Sequence, residues 1–207
     1  SSFNHVNECR WKFDVQIFNL IKKNYKKKAI KAGKKIIHDR FRGISNLNDK
    51  AIDSEASKFA KVHKVKFIEN YDKNSICKKF NWDTSKPIGI IFGNDLTDGL
   101  FTMGKGIYRD NYIWLEKVIK FASLNQNMNW LVKSHPSDLE NSGKIKVKNL
   151  FFNNKYPENI KFFPENFGRN NLFKIVDIVY TNYGTAGYEY PALGIPSVTS
   201  SEHHYQG

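Results

Sequence analysis

The sequence predicts an α/β fold: a doubly wound parallel sheet, Rossmann-like, over residues 86–207, preceded by a mostly helical segment over residues 1–85. Three observations predict it. Short apolar runs without polar alternation recur through the second half, as strands covered on both faces require. Amphipathic stretches with three- and four-residue spacing separate those runs, the order of a parallel sheet wound by helices. Polar, Gly-containing segments follow the runs directly, and folds of this kind bind ligands at the carboxyl ends of their strands.

From Asp14 to about Ile37 the spacing predicts a helix. Val15, Phe18, Ile21, Tyr25 and Ala29 recur on one side, while Lys22, Lys23, Lys26 and Lys27 fill the other. Gly33 weakens the helix near its end, and Arg40-Phe41-Arg42-Gly43 closes the segment. A second helix is expected from about Ile52 to Val62, with Asp49 or Asp53 near its start, and a short third from Ser75 to Phe80. Nothing in residues 1–85 reads as an enclosed strand. This part is a helical lead-in or inter-domain segment, not a complete domain.

Pro87 opens the sheet region. Ile88-Gly89-Ile90-Ile91-Phe92 reads as a buried strand ending in Gly93-Asn94-Asp95, and a strong helix follows from Asn111 to Leu124. Asn129 to Lys133 is the second strand, ending in Ser134-His135-Pro136. Ile160 to Phe163 is a third strand, Asn171 to Val176 a short helix, and Asp177 to Thr181 a fourth strand. Thr185 to Leu193 is expected as a helix and Pro196 to Thr199 as the fifth strand.

A 207-residue chain with 40% hydrophobic and 14% aromatic residues can bury a real core, which excludes wholesale disorder. No apolar run approaches the ~18–20 residues that span a bilayer, and no secretory signal is visible. Ser1-Ser2-Phe3 is not a natural start and points to further chain upstream. Cys9 and Cys77 are too distant for a short metal-binding pair, and two lone thiols fit a cytoplasmic protein. His203-His204 is adjacent, so in an extended segment the two side chains point apart, and no metal is expected.

The charge of +13 is concentrated in the front of the chain. Residues 1–85 carry 20 Lys and Arg against 9 Asp and Glu, whereas residues 86–207 carry 13 against 11. Three readings are open: a solvated helix face, contact of the basic helix 14–37 with an anionic membrane or acceptor, and nucleic acid. The last lacks an aromatic-basic recognition strand or a helix-turn-helix signature.

The residues that could carry chemistry stand just after strands. Asp95 and Asp98 follow the first, Lys133 and His135 end the second, and Tyr183-Gly184-Thr185-Ala186-Gly187 follows the fourth. Two glycines flanking a hydroxyl residue at the start of a helix can cradle phosphate with backbone N–H groups; the same residues also suit a tight turn with Thr185 as N-cap. Glu189, one turn into the helix, offers paired acceptors to a vicinal diol, or is a solvated helix glutamate. His135 can donate to a phosphate or protonate one as it leaves, and equally fits an exposed loop.

Together these segments resemble the capsule polysaccharide biosynthesis protein family, whose members include two-domain (GT-B-type) transferases of 3-deoxy-manno-octulosonate from a CMP donor. The matching stretches are Ile91-Phe92-Gly93-Asn94 with Asp98, Trp114-Leu115, Lys133-Ser134-His135-Pro136, Tyr183 to Glu189, and His204-Tyr205-Gln206-Gly207. Their order and spacing agree across residues 87–207. The resemblance implies a nucleotide-sugar donor, with His135 and Lys133 at its phosphates, Gly184, Thr185, Ala186 and Gly187 as the phosphate cradle, and Glu189 at the ribose. Asn94, Tyr183, His204 and Tyr205 would lie beside the sugar or acceptor; Asp95 and Asp98 are candidates for the base by their position at the carboxyl edge of the sheet. The resemblance further implies a glycan or lipid-linked acceptor and no metal or other cofactor; the basic helix 14–37 would then hold the chain at the cytoplasmic side of the inner membrane. The family's chain continues beyond the histidine-tyrosine segment and carries an acceptor domain upstream. A nucleotide-sugar epimerase or a polyol-phosphate transferase with a CDP donor would share the cradle and the ribose glutamate. The epimerase would also need a pair of carboxylates for proton abstraction, and the sequence shows no obvious pair.

Overall fold

The structure is a computed structural model that describes residues 15–41, 68, 70–96, 106–135, 145–164 and 166–201. At its centre lies a five-stranded parallel sheet: β1 (Ile88–Phe92), β2 (Asn129–Lys133), β3 (Ile160–Phe162), β4 (Ile178–Thr181) and β5 (Ser197–Thr199). All five expected strands are present, the last three each shorter by one residue. Their order is β3-β2-β1-β4-β5. The chain therefore builds outward from β1 in one direction with β2 and β3, and in the other with β4 and β5. The reversal between β1 and β4 is the switch point where an open α/β sheet forms its crevice.

Alternate residues of β1, β2 and β4 enter two different cores. Ile88, Ile90, Leu131 and Val179 pack on one face with Ile76, Cys77, Leu172 and Tyr190. Ile91, Trp130, Val132 and Ile160 pack on the other with Trp114, Leu115, Ile119 and Phe151. Burying each such aliphatic side chain is worth about 1.5–3 kcal/mol. Neither face can be left to water, which is why the strands read as unbroken apolar runs. Gly89 belongs to the second face and lies under the Trp130 indole, where an added Cβ would come within 2.4 Å of the ring. Gly89→Ala must push the indole off its packing against Phe121 and Tyr180. The expected cost is about 1–3 kcal/mol, read as a lower urea midpoint with an unchanged slope.

The helices differ from expectation in instructive ways. The basic lead-in forms α1 (residues 15–24) and α2 (Lys26–Phe41). Tyr25 donates to the Ile21 carbonyl and Ala29 to that of Tyr25, so one rod runs through both. It continues past Ile37 because its last turn has something to pack on: Ile37 is buried, and the Phe41 ring meets Phe173 at 5.2 Å and Tyr190 at 5.7 Å. The helix expected over Ile52 to Val62 lies outside the described residues. α3 (Lys73–Phe80) begins two residues earlier than expected because Asp72 and Ser75 form a capping box ahead of it.

α4 (Asn111–Leu124) has the expected bounds, with the Asp110 side chain accepting from the Ile113 amide at 2.7 Å. α5 (Val147–Phe152) has no counterpart in the sequence reading. Its buried residues Val147, Leu150 and Phe151 do hold helical spacing, but over a window too short to stand out. The helix expected over Asn171 to Val176 is a 3-10 turn at Arg169–Lys174. That expected over Thr185 to Leu193 is split into α6 (Ala186–Glu189) and a 3-10 turn at Pro191–Leu193. Pro191 supplies no N–H to continue the helical ladder. Gly194, at φ 88°, ends the segment in the left-handed conformation expected of it.

Candidate functional site

Parallel register sets the ends of the strands side by side. Phe92 pairs with Lys133 on one flank and Thr181 on the other, and Thr181 pairs with Thr199. The Gly93 amide donates to the Lys133 carbonyl at 2.8 Å, which carries the β1–β2 pairing one residue further. Two residues beyond this row stand His135, Asn94, Tyr183 and Ser201. Strands in a sheet lie roughly 5 Å apart, so His135 emerges about two strand widths, or roughly 10 Å, from Tyr183. That is the span of a small ligand across the switch point.

Beneath this edge lies a buried polar network that the sequence reading did not find. The Asn111 side chain, fully buried at the start of α4, donates to the Asp95 carbonyl at 2.7 Å and to the Tyr183 hydroxyl at 2.6 Å. A backbone carbonyl can only accept, so this contact fixes the Asn111 amide with its oxygen turned the other way. That oxygen accepts from Asn182 Nδ2 at 2.8 Å. Asn182 Oδ1 is then free to face hydroxyls, and it accepts from Ser200 at 2.6 Å and Ser201 at 3.1 Å. Asn94 Oδ1 accepts from the Asn182 amide at 3.3 Å and the Thr181 hydroxyl at 3.4 Å. One connected set of hydrogen bonds therefore ties the loops after β1, β4 and β5 to the start of α4. Such a network is rigid because every alternative arrangement strands a buried polar group.

The expected site residues that lie within the described part of the chain take up definite places against this floor. Asn94 and Tyr183, read as contacts to a sugar or acceptor, are 6% and 8% exposed and help form the network. Asp95 is half-buried, with its carbonyl held by Asn111. Lys133 sends its ammonium back over the Phe163 ring at 6.0 Å and toward the Ser134 carbonyl at 3.4 Å. His135 is exposed at the edge. Glu189 closes α6 and is buried, not a solvated helix glutamate. Asp98, His204 and Tyr205 lie outside the described residues.

The turn after β4 departs from the sequence reading in detail. Thr185 precedes α6 but makes no capping hydrogen bond with its side chain, and it is exposed. The Gly184 amide donates to the Thr181 hydroxyl at 3.1 Å, and the Gly187 amide to the Gly184 carbonyl at 2.9 Å. Those two amides are thus committed within the turn. A phosphate cradle would draw on the amides of Thr185 and Ala186, which give to no acceptor among the described residues. Gly184 is required sterically, since a Cβ there would sit 2.8 Å from the Thr181 hydroxyl.

The edge thus offers an imidazole, a hydroxyl and two amides within one row, a set dominated by donors. Its natural partner is an anion rich in acceptors, such as a phosphate. Asn111, Asn182, Ser200 and Ser201 share the positional signal that selected Asp95 and His135, but their residue types do not set them apart from solvent-facing loop residues. They stand at strand or helix ends on the same edge. Among the described residues no cluster of three or more His, Cys, Asp or Glu could hold a metal ion. No helix among them is long and apolar enough to cross a membrane.

No protein-family model matches the chain, and no curated protein matches it. Among solved structures the chain is similar to KpsC, a beta Kdo 2,4 transferase, of Thermosulfurimonas dismutans. The two share 16% sequence identity at a TM-score of 0.41, over 79% of this chain and 48% of that one. The chain thus spans about half the length of that protein.

Proposed function

We propose that this chain is the donor-binding half of a glycosyltransferase that uses a nucleotide-activated sugar, CMP-linked, to build capsule or other surface polysaccharide. The observation that carries the reading is the alignment of the loops after β1, β2 and β4 along one edge at the switch point, with donors facing out and a rigid polar floor behind them. The motif series along the same loops supports it.

In this reading His135 and Lys133 meet the donor phosphate, with the Thr185 and Ala186 amides and the Thr185 hydroxyl on its other side. Negative charge develops on that phosphate as the glycosidic bond breaks, and prearranged donors stabilise it without a metal ion. Glu189 accepts from the ribose hydroxyls. Asp95 or Asp98 takes the proton of the attacking acceptor hydroxyl, and His204 and Tyr205 stand beside the sugar. The acceptor is a lipid-linked or growing glycan.

A thermal-shift panel of CMP, CDP, UDP and GDP tests this. CMP is expected to raise the melting temperature most. If none of the four nucleotides shifts it at millimolar concentration, the reading fails. Stabilisation by CDP or UDP instead, with product analysis showing a transferred polyol phosphate or an epimerised sugar, would move the chain to those reactions on the same scaffold.

A further inference from the structure

We propose that the basic rod formed by α1 and α2 docks on an anionic lipid surface, lying in the plane of the headgroups. At 100° per residue, Ile17, Phe18, Ile21, Tyr25 and Ile36 fall on one side of the rod, and all are between 36% and 59% exposed. Lys23, Lys26, Lys27 and Lys34 fall on the opposite side with the exposed Leu20 and Ile30, while Lys28, Lys31 and Lys35, exposed as well, run along one margin of the stripe. Residues 15–41 hold eight Lys and one Arg against a single acidic residue, Asp39.

Both halves of this pattern are needed to identify the partner. A solvated helix in water has no use for five large apolar side chains along one stripe. A nucleic-acid backbone would attract the lysines and leave that stripe in water. A second protein helix would cover the stripe, but would be opposed by the field of eight ammonium groups unless it were acidic. An anionic bilayer surface takes both: the stripe enters the acyl boundary while the lysines reach to the headgroups. Among the described residues the rod is anchored at one end only. Ile37 and Phe41 hold its last turn to the sheet body, beside Tyr190, while residues 15–28 are exposed throughout. Surface binding can therefore occur without unpacking either core. None of this depends on the chain being a transferase.

Vesicle co-sedimentation of the 207-residue chain tests the proposal at physiological ionic strength. The chain is expected to pellet with phosphatidylcholine vesicles containing phosphatidylglycerol, and to remain in solution with phosphatidylcholine alone. Lys23→Glu/Lys26→Glu/Lys27→Glu is expected to weaken partitioning by at least about tenfold, since each lysine near an anionic surface is worth several-fold. Phe18→Gln/Ile21→Gln, which keeps good helix formers at exposed positions, is expected to weaken it comparably. An unchanged melting temperature in both variants shows the sheet body intact. Failure to pellet with the anionic vesicles overturns the proposal. So does binding to random duplex DNA that matches lipid binding and ignores the Gln pair. A dimer by sedimentation velocity that the Gln pair dissociates, without vesicle binding, assigns the stripe to a second copy.

Discussion

Asn182→Ala is expected to lower the unfolding free energy by about 2–6 kcal/mol, because two buried groups lose their partner at about 1–3 kcal/mol each. The Ser200 hydroxyl and the Asn111 side-chain oxygen both face Asn182, which is 2% exposed. For a domain of ordinary stability this is a large fraction of the whole. Asn182→Asp discriminates hydrogen bonding from packing, since it preserves shape. Its second oxygen would confront Asn111 Oδ1, and Asn111 cannot turn over without breaking its bond to the Asp95 carbonyl. The carboxyl of that variant is therefore expected to titrate above its ordinary value of about 3.9. A raised folded-state pKa means that the folded protein binds the proton more tightly than the unfolded chain. The variant's deficit is then smallest below the unfolded value and grows as pH rises through the folded one. Chemical denaturation across that acidic window, with wild-type protein as reference, should show the gap widening with pH. A gap that stays constant would mean that the network does not hold Asn182 in the orientation described.

The central strands were legible in the sequence because burial on both faces leaves their interiors no polar positions, so Ile88 to Phe92 and Asn129 to Lys133 announce their own bounds. Short helices were not. The three apolar residues of α5 cannot establish a period, and the segment after Thr185 carries helical spacing that Pro191 interrupts. The edge residues were found by position, as ends of strands. The network beneath them escaped because Asn and Ser in loops ordinarily face solvent. Only the pairing of β1 with β4 reveals that Asn94, Asn111 and Asn182 are turned toward one another. Burial of Glu189 was hidden for a related reason: periodicity places a residue on a helix face, but a four-residue helix has no settled face until the sheet packs on it.

Loss of His135 is expected to cost nucleotide binding far more than stability, since the residue is exposed at the edge and belongs to neither core. A ligand present at a hundred times its dissociation constant stabilises the fold by about 2.7 kcal/mol. Removing a charge-assisted hydrogen bond worth about 1.5–3 kcal/mol weakens affinity at least tenfold. The same ligand concentration then contributes about 1.4 kcal/mol or less. In His135→Ala the CMP-induced melting shift should fall to half or below, while the ligand-free melting temperature stays at the wild-type value. Lys155→Ala makes the control: Lys155 is exposed and precedes β3, at the opposite edge of the sheet. Glu189→Gln asks the second question at the same site. It keeps volume and removes charge, so a glutamate that serves the ribose diol loses affinity in calorimetry, whereas one that only fills space does not. Two variants that retain full CMP affinity would leave the sheet edge as an ordinary set of loops. Weakened binding in both, beside an unaffected Lys155→Ala, joins the exposed imidazole and the buried carboxylate in one nucleotide site.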